Sequence, residues 1–215
     1  MIVCGLDVAA AVFHTIDATL SVKSAEKEGT SVQAGQVISV ISGEARAILT
    51  GERVALNLMQ RMCGIATETS RYVEAIKGTD AIILDTRKTM PGLRELDKYA
   101  VRVGGGKNHR MRLDDAVLIK DNHIAVAGGV GAALALVKAR VAAAMTIEIE
   151  CDTLDQVKEA LAAGAPMLLL DNMTNAQLRE AVTLAKGKAK TEASGNVSLE
   201  TIRDIAQTGV DFISI

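Results

Sequence analysis

The alternation of short apolar runs with helix-like segments constrains the fold of this chain more than any other feature. Between residues 81 and 215 the runs that read as strands are AIIL, AVLI, TIEI, MLLL, KAKTEA and FISI. The segments between them have helical spacing, and several open at Ser or Thr and end at Gly, as helices commonly do. Repeated strand–helix units predict a parallel sheet, either doubly wound or closed into a barrel.

Polar residues follow these predicted strands where each strand ends. They are Asp85, Arg87 and Lys88, then Lys120 to His123, then Glu150, then Asp171 and Asn172, then Glu192 and Ser194 to Asn196. In a doubly wound sheet only the strand ends near a switch point meet the ligand, whereas in a barrel all of them do. The pattern therefore favours a barrel. Six predicted strands are fewer than a complete eightfold barrel has, so the barrel is expected to be open, smaller, or cut short at Ile215.

The N-terminal part of the chain has a different character. Residues 6–16 have the spacing of a helix, and residues 19–49 read as short antiparallel strands with glycine turns, in the runs TLSVKSA, QVISVIS and ARAIL. Thr50 is predicted to cap a long helix. These runs predict a small β-rich N-terminal unit, which is followed by that helix and then by the barrel.

Composition excludes several classes of function. The formal net charge is -2 and aromatic residues make up 2% of the chain, so neither nucleic acid nor an anionic membrane surface is expected as a partner. The apolar N-terminus is interrupted by Asp7, His14 and Asp17, which argues against a signal peptide or a membrane span. Three isolated cysteines suit reduced thiols, and we expect a cytoplasmic protein.

Cationic residues concentrate between residues 82 and 123, although the whole chain is slightly acidic. Arg87 and Lys88 are adjacent, so one can meet a carboxylate bidentately while the other reaches a phosphate as a point charge. His109 and Arg110 follow a triple glycine whose amides could also face an anion. The ligand is predicted to be a multiply charged anion.

The remaining rim residues leave alternatives open. Lys120 could be a desolvated Schiff-base nucleophile, as in a class I aldolase, or a charged anion holder. Glu150 and Asp171 could bind Mg²⁺ or ribose hydroxyls. The residues Ser194, Gly195 and Asn196, before a helix predicted to be capped by Ser198, form a possible phosphate seat. His123 is either a capping or core histidine or a catalytic residue, and Arg53 reads from spacing alone as a solvated arginine.

Six segments in this order resemble the quinolinate phosphoribosyltransferase family: ERVALNLMQRMCGIAT, LDTRKTMPGLRELDKYAVRVGGGKNHR, LIKDNHIA, EIEC, LLLDNM and EASGN. The match covers roughly residue 51 to the end and, more loosely, the N-terminal strands. Relatives are expected to have further residues before Met1 and after Ile215. Asn196 stands where Gly is common in the family, and Cys63 where Ser is common.

The resemblance implies a partial N-terminal α/β sandwich domain over residues 1–63, including the start of the long helix, and an open parallel α/β barrel of the TIM type with fewer than eight strands over residues 64–215. It implies conversion of quinolinate and phosphoribosyl diphosphate, the latter with Mg²⁺, to nicotinate mononucleotide, diphosphate and carbon dioxide. It also implies a homodimer or higher homo-oligomer whose subunits share active sites, with Arg53 reaching the neighbouring subunit's quinolinate. Lys88, Lys120, Glu150 and Asp171 are the implied catalytic residues, and Glu150 and Asp171 would serve the metal, directly or indirectly. The implied substrate-binding set is Arg53, Thr86, Arg87, Lys88, His109, Arg110, Lys120, Glu150, Asp171, Ser194, Gly195 and Asn196.

Within that set, the resemblance assigns the quinolinate carboxylates to Arg87, His109, Arg110 and Lys120, and the diphosphate to Lys88. Ser194 and Gly195 would hold the phosphate of the sugar. Three alternatives stay open at this point: the homologue of the same fold that is associated with molybdenum transport, a class I aldolase using Lys120, and a non-catalytic anion-binding protein.

Overall fold

The computed structural model describes residues 1–215, which divide by internal packing into two units. The first comprises residues 1–73 and 89–107, and the second comprises residues 74–88 and 108–215. The predicted boundary between Cys63 and Gly64 falls inside one continuous helix and stays a prediction. None of the helices combines the length and hydropathy needed to cross a membrane.

The first unit packs helices against a small antiparallel sheet. Its elements are α1 (Leu6–Ile16), β1 (Ser21–Ser24), β2 (Ser39–Ser42), most of α2 (Ala45–Ala75) and α3 (Arg94–Val103). Strands β1 and β2 pair antiparallel, with Ser21 opposite Ser42. The helix predicted over residues 6–16 is confirmed at the same bounds, and its buried face includes Leu6 and Phe13.

The segment ARAIL, predicted as a third strand, is instead the first turn of α2. Alanine favours the helix, and the Glu44 carboxylate caps it by accepting the amide of Ala47 at 2.7 Å. Thr50 therefore does not cap the helix as predicted. It lies inside α2, where its hydroxyl donates to the Arg46 carbonyl at 2.7 Å.

The second unit is an open parallel α/β barrel, as predicted. Its strands are β3 (Ile82–Leu84), β4 (Val117–Ile119), β5 (Ile147–Cys151), β6 (Met167–Asp171), β7 (Lys190–Ser194) and β8 (Phe212–Ser214). They pair in the order β3-β8-β7-β6-β5-β4, so that consecutive strands are neighbours and the last strand returns to the first. The circle is interrupted between β3 and β4, which form its two edges.

The barrel helices are α4 (Asp121–Ala127), α5 (Val130–Lys138), α6 (Leu154–Ala162), α7 (Asn175–Ala185) and α8 (Ile202–Ala206). Helices α4 and α5 are separate because Gly128 and Gly129, which lie between them, both take positive φ, 86° and 139°. The predicted Ser198 cap is wrong, since α8 begins only at Ile202 and Ser198 lies in the preceding turn.

Helix α3 belongs to the first unit rather than to the barrel. Its Ala100 is fully buried in a cluster with Met62, Cys63 and Ala66 of α2. The contact is close, because a Cβ at Gly104, directly after α3, would overlap the Ala66 carbonyl. The chain thus leaves the barrel after β3 and re-enters it with residue 108.

A bidentate ion pair joins these two helices. Arg61 donates from Nε and Nη2 to the two carboxylate oxygens of Asp97 at 2.7 and 2.6 Å, and the Met90 amide also donates to Asp97 at 3.1 Å. The Asp97 side chain is 6% exposed. The Arg61 side chain is 32% exposed, so the carboxylate is the shielded member of the pair. In the ion pair of Arg71 and Glu68 both side chains are exposed, at 60% and 50%.

We expect Asp97→Ala to lower the free energy of unfolding by about 3 kcal/mol, because it leaves the Arg61 guanidinium and the Met90 amide without their acceptor. The matched control Glu68→Ala removes an exposed pair and should cost less than about 1 kcal/mol. Urea unfolding followed by circular dichroism measures both values. Equal losses in the two variants would contradict the role assigned to Asp97.

Candidate functional site

Two adjoining cavities lie at the C-terminal ends of the barrel strands. The first has a volume of about 280 Å³ and is lined by Asp85, Thr86, Arg87, Lys88, His109, Arg110, Leu118, Lys120, Leu169, Glu192, Ser194 and Ser214. The second, of about 500 Å³, includes Glu150, Asp171, Asn172, Ser194, Gly195 and Asn196. Thr86, Lys88 and Lys120 line both cavities. Small-molecule sites are of this size, about 300–1,000 Å³.

The parallel register explains why these residues meet. Asp171 at the end of β6 lies opposite Ser194 at the end of β7, and Leu84 at the end of β3 lies opposite Ser214 of β8. Residues that follow the strands in sequence therefore share one rim. Of the predicted site residues, the structure brings together all but Arg53 around the two cavities.

Arg53 lies on α2 in the first unit. Its side chain is 72% exposed, and the carboxylate near it is that of Glu52, at 3.8 Å. The exposure agrees with the spacing of the sequence. The role implied by the family resemblance, a contact with the substrate of a neighbouring subunit, stays a prediction.

Asp85 fixes the segment that carries His109 and Arg110. Its carboxylate, which is buried, accepts the Asn108 side-chain amide at 2.5 Å and the backbone amide of His109 at 2.8 Å. These hydrogen bonds tie the returning chain to the end of β3. Asp85, the first residue after β3, therefore positions the segment that contains His109 and Arg110.

Both ring nitrogens of His109 have partners. Nε2 lies 2.8 Å from a carboxylate oxygen of Glu148 and 3.6 Å from one of Glu192, while Nδ1 accepts the backbone amide of Arg110 at 2.7 Å. The Glu148 hydrogen bond raises the pKa of His109, and burial of the ring acts in the opposite direction. The Arg110 amide needs the lone pair of Nδ1, so this geometry corresponds to a neutral ring with its hydrogen on Nε2.

Glu192 is carried largely as a neutral acid. Burial and, next, the charge of Glu148 raise the pKa of Glu192 to about 8, and its side chain is 1% exposed. At pH 7 the first cavity, which Asp85 also lines, therefore carries little negative charge from Glu192. This matters because a negative charge on that wall would oppose the binding of an anion.

The cations on the other walls are close enough to influence each other. Burial and, next, the charge of Arg87 lower the pKa of the Arg110 guanidinium. Arg110 is held in place by donating from Nη1 to the Ala116 carbonyl at 3.1 Å. Two guanidinium groups held near each other cost free energy that an anion between them would recover.

Lys120 connects the two cavities. Its Nζ donates to Glu150 at 3.1 Å, and its side chain is 51% exposed. Because Lys120 is this exposed, it lacks the burial on which an aldolase-type nucleophile would depend, and the arrangement favours a charged anion holder.

His123 is a capping residue, because its Nδ1 accepts the backbone amide of Lys120 at 2.9 Å at the start of α4.

The second cavity has a carboxylate wall formed by Glu150 and Asp171, and Asp152 lies beside them without lining the cavity. Carboxylate oxygens of Glu150, Asp152 and Asp171 lie within 4.8 Å of one another. Hard oxygen donors at the mouth of an open cavity suit Mg²⁺, which keeps several waters and takes one or two carboxylates together with substrate phosphates. The donor set therefore fits the predicted metal, with Asp152 as a residue that the sequence analysis did not select.

The loops after β6 and β7 interlock beside this wall. Asn196 donates its side-chain amide to the Asn172 side chain at 3.0 Å, and both asparagines have left-handed backbone, with φ of 53° and 52°. Gly195, with φ of 92°, leaves no room for a Cβ, which would overlap the Asn172 side chain. The glycine is thus required for the shape of the predicted phosphate seat.

Sequence reasoning gave no role to the polar residues of the barrel interior. Glu148 lies two positions before Glu150, so in a strand the two face the same side. That spacing was the available signal, and Glu192, which was placed at a strand end without a role, has the same spacing from Ser194. Within a short run of apolar residues, a glutamate is more readily assigned to a surface than to a buried cluster.

Sequence models of one family match almost the whole chain. The model of the quinolinate phosphoribosyl transferase N-terminal domain matches residues 1–63, and the model of the C-terminal domain matches residues 65–215. The two matches follow each other in the order of the chain, with one residue between them.

Curated relatives are similar over nearly the full chain. A probable nicotinate-nucleotide pyrophosphorylase [carboxylating] from Synechocystis sp. is 44% identical over 216 residues, which cover 99% of this chain and 73% of the relative. A protein of the same description from Bacillus subtilis is 45% identical over 205 residues, covering 94% of this chain and 70% of the relative. The chain thus spans about 70% of the length of these relatives.

Solved structures agree with these matches. The nicotinate-nucleotide pyrophosphorylase from Francisella tularensis has a TM-score of 0.96 and 42% sequence identity, and the match covers 100% of this chain and 76% of that one. NadC from Streptococcus pyogenes has a TM-score of 0.96 and 41% identity, with the same coverage. By sequence and by fold, the chain belongs to the quinolinate phosphoribosyltransferase family.

Proposed function

We propose that the protein transfers the phosphoribosyl group of phosphoribosyl diphosphate to quinolinate, with loss of carbon dioxide, and so makes nicotinate mononucleotide for NAD biosynthesis. One observation carries this proposal. Four cationic side chains, those of Arg87, Lys88, Arg110 and Lys120, line a cavity of about 280 Å³ that adjoins a second cavity with a carboxylate wall. The first suits a small dianion and the second a metal-bound sugar diphosphate.

The charge of the first cavity matches a dicarboxylate. Asp85, one of the acids on its walls, is engaged with Asn108 and the His109 amide, and the other, Glu192, is largely neutral at pH 7 because its pKa is raised to about 8. The cations are therefore only partly compensated from within the protein. Guanidinium groups bind planar carboxylates bidentately, so Arg87 and Arg110 are the residues that hold and orient the pyridine ring.

The reaction needs position and fixed charge rather than a protein nucleophile. A bond forms between the pyridine nitrogen and the anomeric carbon of the sugar while the carbon–oxygen bond to diphosphate breaks. Holding the two atoms together and stabilising the departing charge supply the acceleration. Once the nitrogen is alkylated, the ring accepts the electron pair of the carbon–carboxylate bond, carbon dioxide leaves, and the ring carbon takes up a proton.

Lys120, Lys88 and the acids of the second cavity act on the sugar diphosphate. Lys120 lies on both cavities and holds Glu150, so it places one charge between the two substrates. Glu150 and Asp171, with Asp152, are the residues that would hold Mg²⁺ or its waters. When bound, Mg²⁺ would neutralise part of the diphosphate charge. Ser194 and Gly195 provide the seat for the sugar phosphate.

The proposal includes a cytoplasmic location and a homo-oligomer. All three cysteines, Cys4, Cys63 and Cys151, are free and buried, which is compatible with a reducing compartment. Arg53 is exposed on α2 near Leu49 and Val54, which are 72% and 52% exposed. Exposed apolar residues around an arginine are typical of a subunit interface, where Arg53 would reach the partner's quinolinate.

We expect Arg87→Ala to weaken quinolinate binding about 100-fold, because a desolvated guanidinium–carboxylate contact contributes about 3 kcal/mol. Binding of phosphoribosyl diphosphate should change by less than about threefold, since Arg87 lines only the first cavity. Calorimetric titration with each substrate separately measures both affinities.

The matched control for this experiment is Arg179→Ala, which removes an exposed arginine of α7 and should leave both affinities unchanged. Equal losses for the two substrates in Arg87→Ala would contradict the assignment of the first cavity to quinolinate. A protein that binds quinolinate but releases no diphosphate in steady-state turnover would contradict the enzyme proposal as a whole.

Mixing two inactive variants tests the contribution of Arg53 from a neighbouring subunit. If Arg53 acts on the partner's site, Arg53→Ala and Arg87→Ala should each be inactive alone. After mixing and subunit exchange they should regain about a quarter of the wild-type rate, because random pairing gives half heterodimers with one intact site each. Recovery is measured as diphosphate release. No recovery, with exchange verified by mass spectrometry, would place Arg53 in its own subunit's site or outside both.

A further inference from the structure

The wall of the first cavity contains a hydrogen-bonded series that the substrate contacts do not require. It runs from the Glu148 carboxylate to His109 Nε2 at 2.8 Å, and from His109 Nδ1 to the Arg110 amide at 2.7 Å. Glu148 is in the middle of β5, and its side chain is 3% exposed. It is not among the residues that line either cavity. A buried carboxylate is costly, so its retention there needs a role.

We propose that Glu148 is a positioning residue, which holds the neutral His109 ring so that His109 in turn fixes the backbone of Arg110 for substrate binding. This inference rests on the proposed function and deepens it. His109 then acts through Arg110, in place of the direct carboxylate contact predicted from the sequence.

The geometry supports this order of action. A ring that accepts an amide hydrogen at Nδ1 cannot carry a hydrogen there, so its remaining N–H is on Nε2 and is directed at Glu148. A substrate carboxylate needs a donor, and neither nitrogen of the ring has one left in this arrangement. Arg110, by contrast, has a guanidinium that lines the cavity and a backbone anchored at its amide and, through Nη1, at Ala116.

Three charged or titratable groups face the His109 ring. Glu148 of β5 and Glu192 of β7 face Nε2, and Arg110 faces the ring from its own segment. Of the two carboxylates, that of Glu148 is within hydrogen-bonding distance of Nε2, at 2.8 Å against 3.6 Å for that of Glu192. The Glu148 hydrogen bond raises the pKa of His109 and the charge of Arg110 lowers it, and the Arg110 amide, which needs the lone pair of Nδ1, decides for the neutral ring.

Two substitutions at Glu148 separate positioning from charge pairing. Glu148→Gln keeps an oxygen that accepts the Nε2 hydrogen and removes the charge, whereas Glu148→Met keeps the length and removes the acceptor. If Glu148 positions the ring, quinolinate affinity should change by less than about threefold in Glu148→Gln and fall at least about tenfold in Glu148→Met. Affinity for phosphoribosyl diphosphate should be unchanged in both. If Glu148 served to keep an imidazolium, both variants would lose quinolinate affinity equally, and the proposal would be overturned.

Nitrogen-15 NMR of the ligand-free protein tests the arrangement without relying on substrate. The chain has only three histidines, and the His109 signals are assigned by their disappearance in His109→Gln. We expect an unprotonated Nδ1 and a protonated Nε2 at pH 7.5 in the wild type and in Glu148→Gln, with the Arg110 amide protected from hydrogen exchange. An imidazolium at pH 7.5, or an unprotected Arg110 amide, would overturn the proposal.

The two readouts keep the proposals distinguishable. If no variant and no wild-type protein binds quinolinate, the proposed function fails, while the expected tautomer and amide protection would still support the positioning role. If Glu148→Met does not fold, which a thermal unfolding scan shows, the wild type and Glu148→Gln decide the question by both measurements.

Discussion

Parallel pairing of six strands in cyclic order is the constraint on which the rest of the structure depends. Because every strand runs in the same direction, residues as far apart in sequence as Asp85 and Ser214, which are separated by 129 positions, line one cavity. The strands themselves are short and apolar, with Ile149, Leu168 and Leu170 fully buried. The hydrophobic core thus fixes where each strand ends, and each end carries the polar chemistry.

Cations concentrated on one rim repel one another. Acidic residues of the barrel reduce this repulsion without removing the attraction of the rim for an anion. Asp85 balances charge close to Arg87 but is itself engaged by Asn108 and the His109 amide. The Glu192 proton removes a charge that would repel the ligand, because burial raises its pKa to about 8. The Lys120 side chain is half exposed, so its ammonium group stays partly hydrated when it turns from Glu150 to an arriving anion.

Structural features that depend on residues close in sequence could be predicted, and features that depend on contacts between distant residues could not. Helix α1 and the ends of the strands were predicted correctly, because hydrophobic periodicity and the change from an apolar run to charged residues are local signals. The segment ARAIL was misassigned because its five residues fit either a strand or a helix, and the capping carboxylate of Glu44 decided the outcome. The sequence did not predict that α3 packs in the first unit. That packing depends on the fit of Ala100 and Gly104 against α2, a contact between residues distant in sequence.

Asp85 and Glu148, two buried acids to which the sequence analysis gave no role in the site, act on other residues rather than on a ligand. Asp85 and Glu148 hold the same short segment from two sides, one through the backbone of His109 and the other through its ring. A guanidinium on a loop without such support would bind more weakly, because the loop would lose conformational entropy when the ligand binds. The segment re-enters the barrel from the first unit, and these two carboxylates fix it to β3 and to β5. Buried acids in a cation-rich site are therefore understood here as the groups that keep the cations in place.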